Sequence, residues 1–264
     1  MLLILYALIG VAGLGILFGI GLSLASRFLA VQKNEKVELI EKALPQVNCG
    51  ACGFAGCAAY AEAVASGNVE INLCTPGGAE TLKAIAHIMS VDAPEIGEKK
   101  VTQVHCKGGR GTAEYSFEYS GVKDCNALFL IGGGNKVCKY GCLGLGSCIK
   151  VCPVDAISYD DIGLVVVDKD VCISCGKCID VCPTKVMRWI PYSADYIVAC
   201  NSNDKGPVTK RACKVGCIGC KICEKKSPEG GYVITDFLSV IDYSQTGDRN
   251  EGAEKCPPKC IIKN

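Results

Sequence analysis

Cys172, Cys175, Cys178 and Cys182 stand at the spacing C-x2-C-x2-C-x3-C and are followed at once by Pro183. Few patterns restrict a chain more. Thiolates two residues apart in a turning backbone converge on one iron–sulfur cubane, and the fourth, carried off by the helix that follows, ligates the other cluster of a pair. The partner motif is Cys138, Cys142, Cys148 and Cys152 before Pro153, with looser first intervals. Crossing the fourth ligands predicts one [4Fe-4S] site from Cys138, Cys142, Cys148 and Cys182. The second takes Cys152, Cys172, Cys175 and Cys178. Zinc also uses C-x2-C pairs, but three close cysteines ending in C-P favour iron–sulfur.

A second copy lies downstream. "CKYGCLGLGSCIKVCP" (138–153) aligns without a gap on "CKVGCIGCKICEKKSP" (213–228), and "VCPTKV" (181–186) on "KCPPKC" (255–260). Cys125 precedes Cys138 by the interval that separates Cys200 from Cys213, so 125–186 reads as the counterpart of 200–260. Ser227 takes the place of Cys152, and 243–255 lacks the triplet that the same lost site would need. The surviving site draws Cys217, Cys220 and Cys223 from the near motif and Cys256, before Pro257, from the far one. Cys213 in the place of Cys220 is the alternative assignment.

Nearer the start, "NCGACGFAGC" (48–57) offers Cys49, Cys52 and Cys57, with Cys74 following. Gly50, Gly53 and Gly56 permit the tight backbone that brings thiolates around a cluster; a zinc site or a buried cysteine loop is the competing reading. The prediction is four [4Fe-4S] clusters on sixteen of the 21 cysteines. Cys106, Cys125, Cys200, Cys213 and Cys260 are left as buried or free thiols. His87 and His105 have no spacing partner and read as structural.

So many cysteines imply either a disulfide frame or bound metal. The first 26 residues decide between them, because they carry no charge. As a helix they would span about 39 Å, enough for a bilayer core. Positive charge follows at Arg27, Lys33, Lys36 and Lys42 and none precedes, which predicts a retained anchor, not a cleaved signal. The N-terminus then lies outside and the cysteines in the cytoplasm, where thiols stay reduced. Gly15 and Gly19 form a G-x-x-x-G step suited to a neighbouring membrane helix. The net charge of +1 gives no sign of nucleic acid.

The expected class is α+β, in five parts. A transmembrane anchor (1–27) precedes a small helical [4Fe-4S] domain (28–95), whose first helix falls in 31–44. A β-rich connector (96–136) follows, with strands in "VTQVHC" and "AEYSFEYSGV" joined by "KGGRG". A ferredoxin-like module with two clusters (137–190) and a degenerate one with a single cluster (191–264) complete the chain. "IGGGNK" (131–136) lacks the ending of a phosphate loop and reads as a turn. Neither a flavin or nicotinamide site nor a catalytic acid–base or nucleophile arrangement is evident.

The uncharged N-terminal helix, "CGACGFAGC" with Cys74, and "CKYGCLGLGSCIKVCP…CISCGKCIDVCP" together resemble the B subunit of the Rnf complex, the ion-translocating ferredoxin:NAD oxidoreductase of bacterial membranes. The resemblance implies an electron-transfer subunit of a translocase in the bacterial cytoplasmic membrane. It would take electrons from soluble reduced ferredoxin and relay them to the other subunits. It also implies one cluster on Cys49, Cys52, Cys57 and Cys74 and a pair on the eight cysteines of the first ferredoxin motifs. Ser227 and 243–255 depart from the fuller pattern. The distal module, farthest along the chain from the anchor, is expected to meet the donor. The rival readings are a membrane-tethered redox sensor, which needs only one labile cluster, and a reducing subunit for another protein. A zinc-bound adaptor is a third.

Overall fold

The computed structural model describes residues 2–28 and 34–264. Helix α1 (Leu2–Phe28) contains an 18-residue window, Ile9–Ser26, with a mean hydropathy of 2.0 and no part of it buried. It is the one helix among the described residues long and apolar enough to cross a bilayer. Lys33, one of the basic residues expected to orient it, lies outside the described residues.

Three short helices form the next unit: α2 (Glu35–Ala43), α3 (Cys57–Ala65) and α4 (Gly78–Met89). The expected helix over 31–44 begins with Asn34 as its cap, whose side chain accepts from Lys36 N; positions 31–33 are outside the described residues. Ile40, Tyr60, Val64 and Ile85 are fully buried where these helices meet. Each such side chain contributes roughly 1.5–3 kcal/mol of burial.

The rest of the chain repeats one element order. In the first copy, β1 (Lys100–Val104) leads to α5 (Cys125–Phe129) and α6 (Ser147–Lys150). The hairpin β2 (Ile157–Tyr159) and β3 (Val165–Val167), then α7 (Lys177–Asp180) and β4 (Met187–Pro191), complete it. In the second, β5 (Tyr196–Val198) leads to α8 (Gly206–Ala212) and α9 (Ile222–Lys226), the hairpin β6 (Tyr232–Thr235) and β7 (Leu238–Ile241), then α10 (Asn250–Glu254) and β8 (Ile261–Lys263). All four pairings are antiparallel and two-stranded: β1 with β4, β2 with β3, β5 with β8, β6 with β7. First and last strands thus close each copy around its cysteine loops. Helices of four or five residues do not persist by propensity; these are held by the loops they terminate.

Two expectations about the connector change. Val101 to Val104 pair with Ile190 to Met187, so this strand belongs to the first repeat and not to a linker. The second expected strand, in "AEYSFEYSGV", does not form; Tyr115 makes only an isolated bridge to Lys136. Ala113 makes a second isolated bridge, to Cys213, and residues 107–137 otherwise fold as loops around α5. "IGGGNK" is a turn, with positive φ at Gly132, Gly133 and Gly134.

Candidate iron–sulfur centres

Among the described residues, cysteines line five cavities. The first holds Cys49, Cys52, Cys57 and Cys74. Its loop turns through Gly50 (φ 74°) and Gly53 (φ 84°), a left-handed conformation that costs glycine nothing. Asn48 Oδ1 accepts from Cys57 N (2.8 Å) and fixes the start of α3; a Cβ on Gly56 would stand 2.8 Å from that oxygen. Tyr60 Oη accepts from Leu73 N (3.2 Å) and donates to Glu70 O (3.0 Å), which sets Cys74 against the loop.

Three further loops share one backbone. Two and four residues after their first cysteines, φ is positive: at Gly144 and Gly146, at Ser174 and Gly176, and at Gly219 and Lys221. Such turns point peptide N–H groups into one concavity that suits anionic sulfur. The loops therefore begin at Cys142, Cys172 and Cys217, and the position three residues on is Leu145, Cys175 and Cys220 respectively. The first repeat lacks its middle cysteine.

That absence divides the predicted set Cys138, Cys142, Cys148 and Cys182. Cys142, Cys148 and Cys182 line one cavity together with Cys125, whereas Cys138 lies in another. Asp124 places Cys125: its Oδ1 accepts from Ala127 N (2.9 Å) as the cap of α5, and its Oδ2 accepts from Ser147 Oγ (2.8 Å). Ser147 Oγ in turn accepts from Cys125 N (2.7 Å), tying α5 to the cysteine loop. The signal was present in the sequence, since Leu145 lies over Cys220 in the ungapped alignment.

Cys152, Cys172, Cys175 and Cys178 line a cavity together. Thr102 of β1 lies over it, with Oγ1 3.4 Å from Cys178 Sγ and 3.8 Å from Cys172 Sγ, and Ala156 N donates to Cys152 Sγ (3.3 Å). The distal cavity brings together Cys217, Cys220, Cys223 and Cys256, with Cys260 as a fifth cysteine. Ser239 N donates to Cys217 Sγ (3.4 Å), and Ser239 Oγ is 3.3 Å from Cys223 Sγ. Cys213, the alternative to Cys220, is not there; it joins Cys106, Cys138 and Cys200 in the remaining cavity. None of the five cysteines expected to be spare lies apart from a cavity.

The counterpart of the Cys152, Cys172, Cys175 and Cys178 cavity is filled. At the interval of 74 residues that separates Cys182 from Cys256, Cys175 and Cys178 correspond to Arg249 and Gly252. Ser227 Oγ accepts from Gly252 N at 3.0 Å. Arg249 is buried, donates from Nε to Gly230 O (2.8 Å), pairs with Asp195 (2.8 Å) and also bonds Gln245 O. Side chains and α10 occupy the space a cluster would need.

Burial pushes the Cys142, Cys148 and Cys200 thiols up to about 12 and Cys178 to about 11. Lone thiolates are unfavourable in such cavities, so ligand sulfurs there require the positive charge of bound metal. Cys217 and Cys256 behave oppositely. The Cys260 thiol, its Sγ 3.6 Å from Cys256 Sγ, holds each down to about 6 while its own value is driven up. Zinc–sulfur bonds of about 2.3 Å would demand sulfurs about 3.8 Å apart. Among the described residues no three His, Cys, Asp or Glu side chains close on one ion in that way. Cavities each ringed by four or five cysteines suit a polynuclear group. His105 is not among the lining groups; its Nδ1 donates to Val198 O (3.0 Å), and burial and Arg188 lower its pKa to about 4.

The family comparisons agree with this chemistry. An Fe-S cluster family matches residues 44–76, and a 4Fe-4S dicluster domain matches 138–186. The B subunit of the ion-translocating oxidoreductase complex of Methanosarcina acetivorans is 39% identical over 95% of this chain and 94% of its own length. This chain belongs to the family of B subunits of ion-translocating oxidoreductase complexes. A second member of that family, the B subunit of the proton-translocating ferredoxin:NAD(+) oxidoreductase complex of Clostridium ljungdahlii, is 41% identical over 94% of this chain and 88% of its own. The Na(+)-translocating counterpart of Acetobacterium woodii is 39% identical over 96% and 76%. As a member of this family, the chain is an iron–sulfur electron-transport protein, and its apolar α1 fits association with a membrane complex.

Proposed function

We propose that the chain takes electrons from reduced ferredoxin and passes them to the other subunits of an ion-pumping ferredoxin:NAD oxidoreductase in the cytoplasmic membrane. Its α1 spans the bilayer once, with the N-terminus outside and the cysteine-bearing units in the cytoplasm. Four [4Fe-4S] clusters are assigned to Cys49, Cys52, Cys57 and Cys74; to Cys125, Cys142, Cys148 and Cys182; to Cys152, Cys172, Cys175 and Cys178; and to Cys217, Cys220, Cys223 and Cys256. The second and third share one ferredoxin-like module, and the fourth stands alone in the next. When bound, such clusters accept and release single electrons at potentials set by burial and by hydrogen bonds to sulfur.

The observation that carries this reading is that the first three cysteine sets neighbour one another. After burial, the charge of Cys49 is among the influences that raise the Cys175 thiol, and that of Cys178 acts likewise on Cys148. The protein's own part is to hold the sulfurs, exclude water and supply donors such as Thr102, Ser239 and the loop amides. In this reading the clusters carry the electron-transfer chemistry, and the subunit conducts and leaves pumping to its partners.

The donor end is the distal cavity. Cys220 is exposed, as are Lys221 beside it, Lys225 on the following helix, and Lys255 and Lys259 near Cys256 in the chain. A patch of that charge speeds encounter with an anionic electron carrier. Stopped-flow reduction of the full-length protein by reduced ferredoxin tests this. Lys221→Glu with Lys225→Glu should slow the second-order rate on the order of tenfold at low salt, with the difference shrinking as salt screens it. An unchanged rate, with iron content intact, would remove the donor from this end.

A further inference from the structure

We propose that Cys106, Cys138, Cys200 and Cys213 ligate a fifth [4Fe-4S] cluster at the junction of the two repeats. The inference rests on the iron–sulfur reading of the other four sites and adds Cys106, Cys200 and Cys213, which lie outside the matched residues 44–76 and 138–186. Sequence alignment conceals it, because Cys200 aligns there with Cys125. Backbone hydrogen bonding gives a different equivalence. His105 N donates to Val186 O (2.8 Å) after β1, and Ala199 N donates to Cys260 O (2.7 Å) after β5. Val186 and Cys260 are counterparts, as are His105 and Ala199, so Cys106 corresponds to Cys200. Cys138 and Cys213 correspond by the ungapped alignment. The cavity is therefore built from the same pair of positions taken twice, once from each repeat.

Several contacts lock the pairs together. Cys213 forms a bridge to Ala113, Glu114 N donates to Ala212 O (2.9 Å), and Lys214 N donates to Thr112 O (2.8 Å). Asn201 Nδ2 donates to Tyr140 O (3.3 Å) and Thr184 O (3.1 Å), carrying the second repeat onto the first. The space between the sulfurs depends on glycine. A Cβ on Gly108 would stand 2.9 Å from Cys213 Sγ and 3.9 Å from Cys106 Sγ, and one on Gly141 would stand 3.7 Å from Cys106 Sγ. The cavity, about 370 Å3, is no smaller than those lined by the motif cysteines. Lys136, only 5% exposed, lines it and donates from Nζ to Gly108 O (2.5 Å). A buried ammonium needs a negative partner; a cluster held by four thiolates supplies one.

Position adds a further reason. On one side Cys106 lies close enough to act on Cys142, and on the other Cys200 Sγ accepts from Cys217 N at 3.2 Å. The site thus stands between the Cys125, Cys142, Cys148, Cys182 cavity and the distal one. The file of cysteine sets becomes continuous from the N-terminal unit to the exposed Cys220.

Iron, acid-labile sulfide and zinc per chain, measured on the anaerobically purified full-length protein, test the proposal. The expected result is about twenty iron and twenty sulfide, the content of five cubanes. Cys106→Ala with Cys213→Ala should lose about four of each and keep the rest. A wild-type value of about sixteen would overturn the fifth site and leave the other four standing. Sixteen iron with one zinc, or twenty iron that the double variant retains, would also overturn it. Iron near zero after anaerobic reconstitution would defeat the underlying reading as well. The wild-type count decides even if the double variant fails to fold.

Discussion

The two repeats share one strand order, and each has lost something different. The first lacks the middle cysteine of its opening loop, where Leu145 stands, and its cavity is lined instead by Cys125 of α5, whose counterpart α8 carries no cysteine. The second keeps Cys220 but has surrendered its other site to Ser227, Arg249 and Gly252. A missing ligand can be replaced from outside the motif while the cavity survives. A missing triplet cannot, and the space closes with hydrogen bonds in place of sulfide.

The largest expected effect breaks the first half of that comparison. Cys125→Ala should remove about four irons per chain, and adding Leu145→Cys should restore them by giving the first loop the pattern of the second. Loss of iron at Cys138→Ala but not at Cys125→Ala would return the site to the ligand set read from spacing alone.

A smaller effect addresses the filled cavity. Arg249→Ala strands the carbonyls of Gly230 and Gln245 and should cost on the order of 3 kcal/mol in denaturant or thermal unfolding, with no change in iron. Asp195 is half exposed, so its ion pair supplies only a small part of that loss. A drop in iron from this variant would mean that Arg249 supports the neighbouring distal cysteine site and not only the filled space.

The smallest effect concerns tuning. Cys260→Val makes the distal site resemble the first repeat, which has Val186 there. It should leave iron unchanged and lower the potential of one cluster by on the order of tens of mV, because the S–H beside Cys217 and Cys256 is removed. Redox titration followed by electron paramagnetic resonance would read it. Loss of iron would instead make Cys260 a ligand.

The residues that short spacing governs were legible from the chain. Cys49, Cys52, Cys57 and Cys74 meet in one cavity, as do Cys152, Cys172, Cys175 and Cys178, and Cys217, Cys220, Cys223 and Cys256. Glycine and C-P turns act within a few residues, so their geometry is written locally. The apolar run of α1 was equally plain. The partner of β1 was not, because an edge strand shows its residues but not its neighbour.

Tertiary structure decided the rest. Spacing assigns Cys138 to Cys142, but the turn begins at Cys142, and Asp124 and Ser147 bring Cys125 in from another segment. Spacing leaves Cys106 and Cys200 unused; equivalent hydrogen bonds from His105 and Ala199 make them a pair. The sequence by itself determined which residues could turn tightly around a cluster, because that depends on neighbours along the chain. Only the closing of two strand pairs against each other determined which distant sulfurs share a cavity, since that depends on where hydrogen bonds bring separated segments together.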